Sequence, residues 1–155
     1  MKDWAVQGPL LNQSAVCEPI LRSLPLWFGI EEAVVEYVRA IEHLPTFLAA
    51  ADGRIVGFIS LKEHFAESAE ILVMGIRIEH HRQGLGRALV ERAAEWLRSR
   101  GTEYLQVKTL SPARPNEEYA RTRAFYRALG FRPLEEFPLF WDEANPCLQM
   151  VKALR

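Results

Sequence analysis

Hydrophobic and polar residues alternate along this chain with two periods, one typical of helices and one typical of strands. Apolar side chains recur every three or four positions in residues 30–44 and 85–100, which predicts two helices that each bury one face. A third helix is predicted at residues 117–129, after Asn116, whose side chain suits a helix N-cap. A short early helix is predicted to begin with Pro19 at its first position, where a helix needs no amide hydrogen.

Stretches typical of strands lie between and after these helices. Residues 46–51 and 54–62 flank Asp52-Gly53, a two-residue turn that favours a tight hairpin. The other predicted strands are 69–78, 103–110, 131–140 and 147–153, with a short edge strand around residues 4–6. Strands at both ends and a β-α-β unit in the middle predict an α/β fold with a mixed, mostly antiparallel central sheet and helices on both faces. We expect a single domain over residues 1–155.

The composition is ordinary for a soluble domain, with 49% hydrophobic and 25% charged residues. A net charge of −1 without a basic cluster argues against a nucleic-acid partner. No apolar run approaches the roughly 18 residues of a spanning helix, and the N-terminus does not resemble a secretory signal, so we expect a cytoplasmic protein without a membrane segment. Cys17 and Cys147 match no metal spacing, and neither do the four histidines, so we expect reduced thiols and no metal site.

The stretch from residue 76 to residue 90 carries the strongest chemical signal. An apolar strand there runs into a polar turn with Gly84 and Gly86, and a helix follows. The first amides of a helix have no internal partner, and the helix dipole adds roughly half a positive charge there. Glycines allow a phosphate to approach the backbone, and Arg82 and Arg87 add full charges on either side of the turn. The stretch therefore predicts an anion site.

Two nucleotide-binding motifs do not fit this turn. A dinucleotide fingerprint needs a small residue three positions after Gly86, where Leu89 stands. A P-loop ends in Gly-Lys-Ser/Thr, whereas this turn ends in Gly-Arg-Ala. Neither kind of nucleotide site is therefore predicted.

The turn resembles motif A of the GCN5-related N-acetyltransferases (GNAT), which has the form Arg/Gln-x-x-Gly-x-Gly/Ala. The matching segment is His81-Arg82-Gln83-Gly84-Leu85-Gly86, with His81 in the Arg/Gln position. A second segment, residues 125–131, resembles the late Phe-Tyr-x-x-x-Gly-Phe segment of the same family. One departure is Tyr119, which stands where such helices commonly have an asparagine. Because the two segments occur in the expected order with a strand between them, the resemblance extends from about Thr46 to the C-terminus.

The resemblance implies a GNAT fold and transfer of an acetyl group from acetyl-coenzyme A to an amine by direct attack in a ternary complex. In the family, motif A holds the pyrophosphate, and a break in the preceding strand frees amides for the pantetheine arm and the thioester carbonyl. Gly75 fits such a break. The implied coenzyme-binding residues are Ile76, Ile78, Arg82, Gln83, Gly84, Leu85, Gly86, Arg87 and Tyr126.

Two catalytic residues are implied, Tyr126 and Glu70. In the family, the tyrosine of the late segment faces the coenzyme sulfur and is proposed to protonate the departing thiolate. Glu70 lies early in the strand that leads into motif A, where relatives often have a carboxylate, and would act as the base. His64 and His81 are alternative bases, because a pKa of about 6.5 suits proton transfer at neutral pH.

The acceptor is expected to be a small-molecule amine or an amine of a peptide or protein. Family pockets form between the early helices and the last strands, so the apolar linker 26–29 either packs into the core or walls the pocket. Carboxylates nearby in sequence would attract a cation or are simply exposed loop charges: Glu31, Glu32, Asp142 and Glu143. A homodimer is common on this fold. The alternative function is a non-catalytic domain that binds or senses acyl-coenzyme A.

Overall fold

One mixed sheet of seven strands runs through residues 3–155, the part of the chain that this computed structural model describes. In chain order the strands are β1 (Trp4–Leu10), β2 (Thr46–Ala51), β3 (Arg54–Phe65), β4 (Ser68–Ile76), β5 (Tyr104–Leu110), β6 (Arg132–Asp142) and β7 (Asn145–Ala153). Their order in the sheet is β1-β2-β3-β4-β5-β7-β6. Neighbouring strands are antiparallel except β4 and β5, which are parallel.

Four helices in this part of the chain cover both faces of the sheet. They are α1 (Ser14–Arg22), α2 (Glu31–Ile41), α3 (Leu85–Ser99) and α4 (Glu117–Ala128), and a single 3-10 turn spans Ile78–His80. Helices α1 and α2 share an apolar cluster with Leu48, whereas α3 and α4 share one with Phe47. Because adjacent strand residues point to opposite faces, these clusters lie on the two sides of the sheet.

The predicted α/β class, with its mostly antiparallel sheet covered on both faces, is therefore confirmed. The first two residues of the predicted domain 1–155 lie outside the described part of the chain. Strand β1 extends to Leu10, beyond the short strand expected around residues 4–6. None of the described helices combines the length and the apolar character needed to cross a membrane.

Several local signals of the sequence appear where they were predicted. Asp52 and Gly53 have φ angles of 53° and 78°, the left-handed pair that a two-residue hairpin turn requires. Asn116 caps α4, because its side-chain oxygen accepts a hydrogen bond from the amide of Tyr119 at 3.0 Å. Helix α3 agrees with the predicted 85–100 within one residue.

The start of α1 differs from the prediction. The helix begins at Ser14, and Pro19 lies inside it rather than at its first position. The amide and the hydroxyl of Ser14 both lie within hydrogen-bonding distance of Glu42 Oε1, at 3.3 and 2.5 Å. Glu42 follows the end of α2, so a contact between two distant parts of the chain sets a start that the local sequence does not show. Pro19 leaves one helix carbonyl without its usual amide partner.

The parallel pair β4–β5 creates the opening on which the site depends. Its ladder runs from Ser68↔Tyr104 only to Ile71↔Val107, although both strands continue beyond. On the other side of β4, Ile71 faces Leu61 and Val73 faces Ser60 of β3, so Leu72 is an extra residue in the ladder. Such a bulge bends a strand and increases its local twist. Beyond the bulge, β4 and β5 continue without pairing to each other.

The break in β4 therefore lies at Leu72 and not at Gly75, where the sequence suggested it. Gly75 is still in register, opposite Phe58. A side chain at Gly75 would place its Cβ 3.3 Å from Leu24 Cδ1 and 3.5 Å from Ile20 Cγ2. The absence of a side chain at Gly75 lets α1 and the residues after it pack closely on the strand.

Candidate active site

A single cleft of about 1230 Å³ occupies the opening between β4 and β5. One wall is the end of β4 with the turn into α3, and the opposite wall is β5 with α4. The linker between α1 and α2 and the ends of β6 and β7 close its remaining sides. The cleft thus reaches both faces of the sheet, because the strands separate there.

The turn into α3 has the geometry of an anion site. Gly84 precedes the helix with φ 87° and no side-chain cap. The first intrahelical bond runs from Ala88 N to Gly84 O at 3.0 Å, so the amides of residues 85–87 have no partner within the helix. The first turn has no acidic side chain. Arg82 lies beside it at φ 62°, and its guanidinium has no ion-pair or hydrogen-bond partner within residues 3–155.

Most of the predicted coenzyme-binding residues line this cleft: Ile76, Ile78, Arg82, Gly84, Gly86, Arg87 and Tyr126. The side chains of the other two point elsewhere. Leu85 is buried in the core under α3. The side-chain amide of Gln83 donates a hydrogen bond to the backbone carbonyl of Glu79 at 3.3 Å. At both of these positions only the backbone is left for a ligand.

Gly86 has a second role that the motif does not reveal. A Cβ at this position would lie 3.0 Å from two ring atoms of Phe125 and 3.3 Å from Ile76 Cδ1. Phe125 belongs to α4, so Gly86 allows α3, α4 and β4 to approach one another closely. A larger residue at position 86 would push on the Phe125 ring, so it would disturb the packing of α3 on α4 as well as the approach of a ligand.

Tyr126 lines the cleft, and two aromatic rings pack against its own ring. The ring meets Phe125 and Phe131 edge-on, with centroids at 5.2 and 5.4 Å. Only 5% of the residue is exposed, and burial raises the pKa of its phenol well above the usual value of 10. The hydroxyl therefore stays protonated at neutral pH and is a hydrogen-bond donor without a partner in the described chain.

Glu70 is buried just behind the cleft and is held by two basic groups. Its Oε1 lies 2.7 Å from His64 Nε2, and its Oε2 accepts a hydrogen bond from Lys108 Nζ at 3.1 Å. Glu70 and His64 do not line the cleft, whereas Lys108 does. Two of the bases suggested by the sequence thus form one hydrogen-bonded unit, which meets the cleft through Lys108.

His81, the third base suggested by the sequence, lines the cleft directly. Its Nε2 donates a hydrogen bond to the carbonyl of Ile76 at 2.6 Å. Because a carbonyl oxygen only accepts, this contact places the proton on Nε2 and leaves Nδ1 as an acceptor in the neutral ring. The side chain in the Arg/Gln position of the motif therefore ties the turn to the end of β4.

The linker between α1 and α2 walls the cleft, the second of the two roles expected for residues 26–29. The indole of Trp27 donates to Thr122 Oγ1 at 3.1 Å, and the hydroxyl of Tyr119 donates to the Trp27 carbonyl at 2.7 Å. The Trp27 ring also meets His81 edge-on at 5.7 Å. Burial raises the pKa of Tyr119 to about 12. Sequence reasoning noticed the apolar linker but missed these partners in α4.

The charges that line the cleft are mostly positive. They are Arg82, Arg87, Lys108, Arg114, Arg121 and a single carboxylate, Glu118. None of the four carboxylates that the sequence suggested near an acceptor pocket lines it. Glu31 instead forms a two-point ion pair with Arg22 at 2.8 and 3.1 Å, and Asp142 accepts hydrogen bonds from Asn145.

A family model described as the Acetyltransferase (GNAT) family matches residues 17–131, and the chain belongs to that family. The mycothiol acetyltransferase of Beutenbergia cavernae is 36% identical over 83 residues. The match covers 54% of this chain, and the chain spans only 26% of the length of that relative.

Two solved structures share the fold. The ribosomal-protein-S18-alanine N-acetyltransferase from Escherichia coli superposes with a TM-score of 0.78 at 17% identity, over 97% of this chain and 94% of that one. A GNAT family acetyltransferase from Elizabethkingia anophelis with acetyl-CoA bound has a TM-score of 0.75 at 14% identity, over 99% of both chains. At these identities the likeness shows the fold alone.

Proposed function

We propose that this protein transfers an acetyl group from acetyl-coenzyme A to a primary amine. The observation that carries the proposal is the cleft where β4 and β5 separate, with unpartnered amides at one end and a buried tyrosine among the residues that line it. Membership of the family and the named acetyltransferases among its relatives support the same reaction.

The residues present fit acetyl-coenzyme A. The amides at the start of α3, with Arg82 and Arg87, would hold the pyrophosphate, because both the helix terminus and the guanidinium groups favour anions. The backbone of Ile76, at the end of β4, and of Ile78, in the 3-10 turn that follows, would bind the pantetheine arm on the side of β4 that β5 leaves open. When bound, the coenzyme supplies an acetyl group activated as a thioester.

The acceptor amine must lose a proton before it can attack. An amine with a pKa of about 10.4 costs roughly 4 to 5 kcal/mol to deprotonate at pH 7. We assign Glu70 as the base, acting through one water molecule because its side chain lies behind the cleft wall. His64 Nε2, at 2.7 Å from Glu70, would donate a hydrogen bond that orients the ionised carboxylate.

Tyr126 would assist the leaving group by hydrogen bonding. A phenol of ordinary pKa, about 10, gives a proton to a thiolate of about 8.5 only with a cost of roughly 2 kcal/mol. Burial raises the pKa of Tyr126 further, which increases that cost. The hydroxyl therefore stabilises the developing thiolate as a donor and keeps its own proton.

The proposal also covers the acceptor, the oligomeric state of the protein and its location in the cell. The acceptor is a small-molecule amine or an amine of a peptide or protein. A homodimer is proposed because the outer strand β6 exposes large apolar side chains such as Leu134 and Leu139, and sedimentation would reveal a monomer if this is wrong. A cytoplasmic location is proposed because Cys17 and Cys147 are free and buried; fractionation of cells tests it.

The reaction is tested by following free thiol in a mixture of the protein, acetyl-coenzyme A and a panel of amines. We expect thiol release that depends on the amine and an acetylated product in equal amount. Tight coenzyme binding without any amine-dependent release would instead support the non-catalytic binding domain.

The coenzyme site is tested with Arg82→Ala, measured by calorimetry with acetyl-coenzyme A. Loss of an unpaired, partly solvated charge should weaken binding about three- to tenfold without abolishing it, since the amides remain. The control is Arg54→Ala, which removes an exposed arginine paired with Glu79 outside the cleft. Equal affinities in the two variants would exclude Arg82 from the site.

The base is tested with Glu70→Gln, which keeps the size of the side chain. The rate should fall and the acidic limb of the pH–rate profile should flatten, because that limb reports protonation of the base. Coenzyme affinity should be nearly unchanged. If Glu70→Gln keeps the wild-type profile while His81→Gln loses the acidic limb, the base is His81.

The leaving-group role is tested with Tyr126→Phe, which deletes one hydroxyl and keeps the packed ring. We expect kcat to fall about 10²- to 10³-fold, the usual scale for removing one positioned hydrogen-bond donor, with little change in coenzyme affinity or melting temperature. An acetyl donor with a more acidic thiol should narrow the difference, because its thiolate needs less stabilisation. A variant as fast as the wild type would show that Tyr126 only packs.

A further inference from the structure

The cleft has two halves that differ in chemistry. The proposed coenzyme site lies at α3 and α4, on one face of the sheet. The other half opens on the face that carries α1 and α2, and the strands part between the two. Its lining is largely apolar and aromatic, with Leu24, Phe28, Ala33, Tyr37, Val73 and Trp141.

Aromatic contacts give this second half firm walls. Phe28 and Tyr37 meet edge-on, with ring centroids at 6.0 Å and an interplanar angle of 89°. Burial raises the pKa of Tyr37, and the neighbouring carboxylate of Glu70 adds to the effect, so its phenol stays neutral. Trp141 stands at the mouth against Phe140, with centroids at 6.0 Å.

The same half offers no free carboxylate. Glu118 is the one acidic side chain that lines the cleft, and it belongs to α4 on the coenzyme side. Glu70, the nearest buried carboxylate, has both oxygens occupied by His64 and Lys108. Lys108 pairs with Glu70 at 3.1 Å, lies over the ring of Phe140 at 5.3 Å and lines the cleft, so its ammonium is the charged group of this pair that an incoming ligand meets.

We propose that the acceptor is a primary amine on an apolar, aromatic body, without a second positive charge. The inference rests on the proposed acetyl transfer and names its substrate class. An aromatic body replaces water against the walls of Phe28, Tyr37 and Trp141. A second ammonium would lose hydration beside Lys108 and find no free carboxylate in return, so polycationic amines are disfavoured.

The test compares two acceptors that differ by one charge, 2-phenylethylamine and its para-aminomethyl derivative. Free-thiol release gives kcat/KM for each. We expect the monoamine to be favoured at least about tenfold, the scale of one uncompensated polar burial. Equal or better use of the diamine would overturn the proposed acceptor class while leaving acetyl transfer intact. If neither amine causes thiol release, the proposed acceptor class is wrong. If no amine of a wider panel causes release, acetyl transfer is wrong as well.

The variant Lys108→Gln tests whether the charge of Lys108, rather than the shape of the cleft, sets the preference between the two amines. It removes the positive charge of Lys108 and leaves Glu70 with one partner instead of two. Calorimetry on the coenzyme A complex should therefore show the affinity for the diamine, relative to that for the monoamine, rising about tenfold. The control Arg54→Gln removes a positive charge that is also paired with a carboxylate, Glu79, from an exposed position of β3 outside the cleft, and should leave the ratio unchanged. An unchanged ratio in Lys108→Gln, or an equal change in both variants, would contradict the assignment.

Discussion

The end of the parallel ladder between β4 and β5 is the constraint on which the rest of the site depends. Pairing stops at Ile71↔Val107, where the extra residue Leu72 bends β4 away. Beyond that point β4 stays paired to β3 and β5 to β7, but the backbone groups that β4 and β5 turn toward each other form no ladder. Unpaired backbone in a fold interior must find another partner. The helix after β4 and the helix after β5 then stand on opposite walls of the gap. A ligand held at α3 can reach both faces of the sheet only because these two strands part.

Charge and burial differ between the regions of the gap between β4 and β5. At the start of α3, unpartnered amides and the unpaired Arg82 form a region suited to phosphate. Burial of Tyr126, with two aromatic rings against its own, keeps its hydroxyl protonated. Farther on, Glu70 is confined by His64 and Lys108, so its negative charge is balanced before any ligand arrives. The half of the cleft proposed for the acceptor is left largely apolar, without a free carboxylate.

The linker between α1 and α2 joins these regions. Trp27 contacts His81 of the phosphate turn and is hydrogen-bonded to Thr122 and Tyr119 of α4. The side chain of Tyr119 is long enough to reach the Trp27 carbonyl, to which its hydroxyl donates. These contacts couple the segment between the early helices to α4. The same linker closes the acceptor half, so one short apolar segment shapes both ends of the cleft.

The sequence by itself determined the features that depend on neighbouring residues. The Asp52-Gly53 hairpin, the Asn116 cap and the glycine turn before α3 follow from backbone sterics and local hydrogen bonds, which act over a few positions. The family and the order of elements followed from two such local motifs. Tertiary structure decided the start of α1, which depends on Glu42, and the break at Leu72 rather than Gly75. It also decided the close approach of Phe125 to Gly86 and the partners of Glu70. Each of these joins residues distant in the chain, and a contact of that kind leaves no periodicity or spacing in the sequence from which it could be predicted.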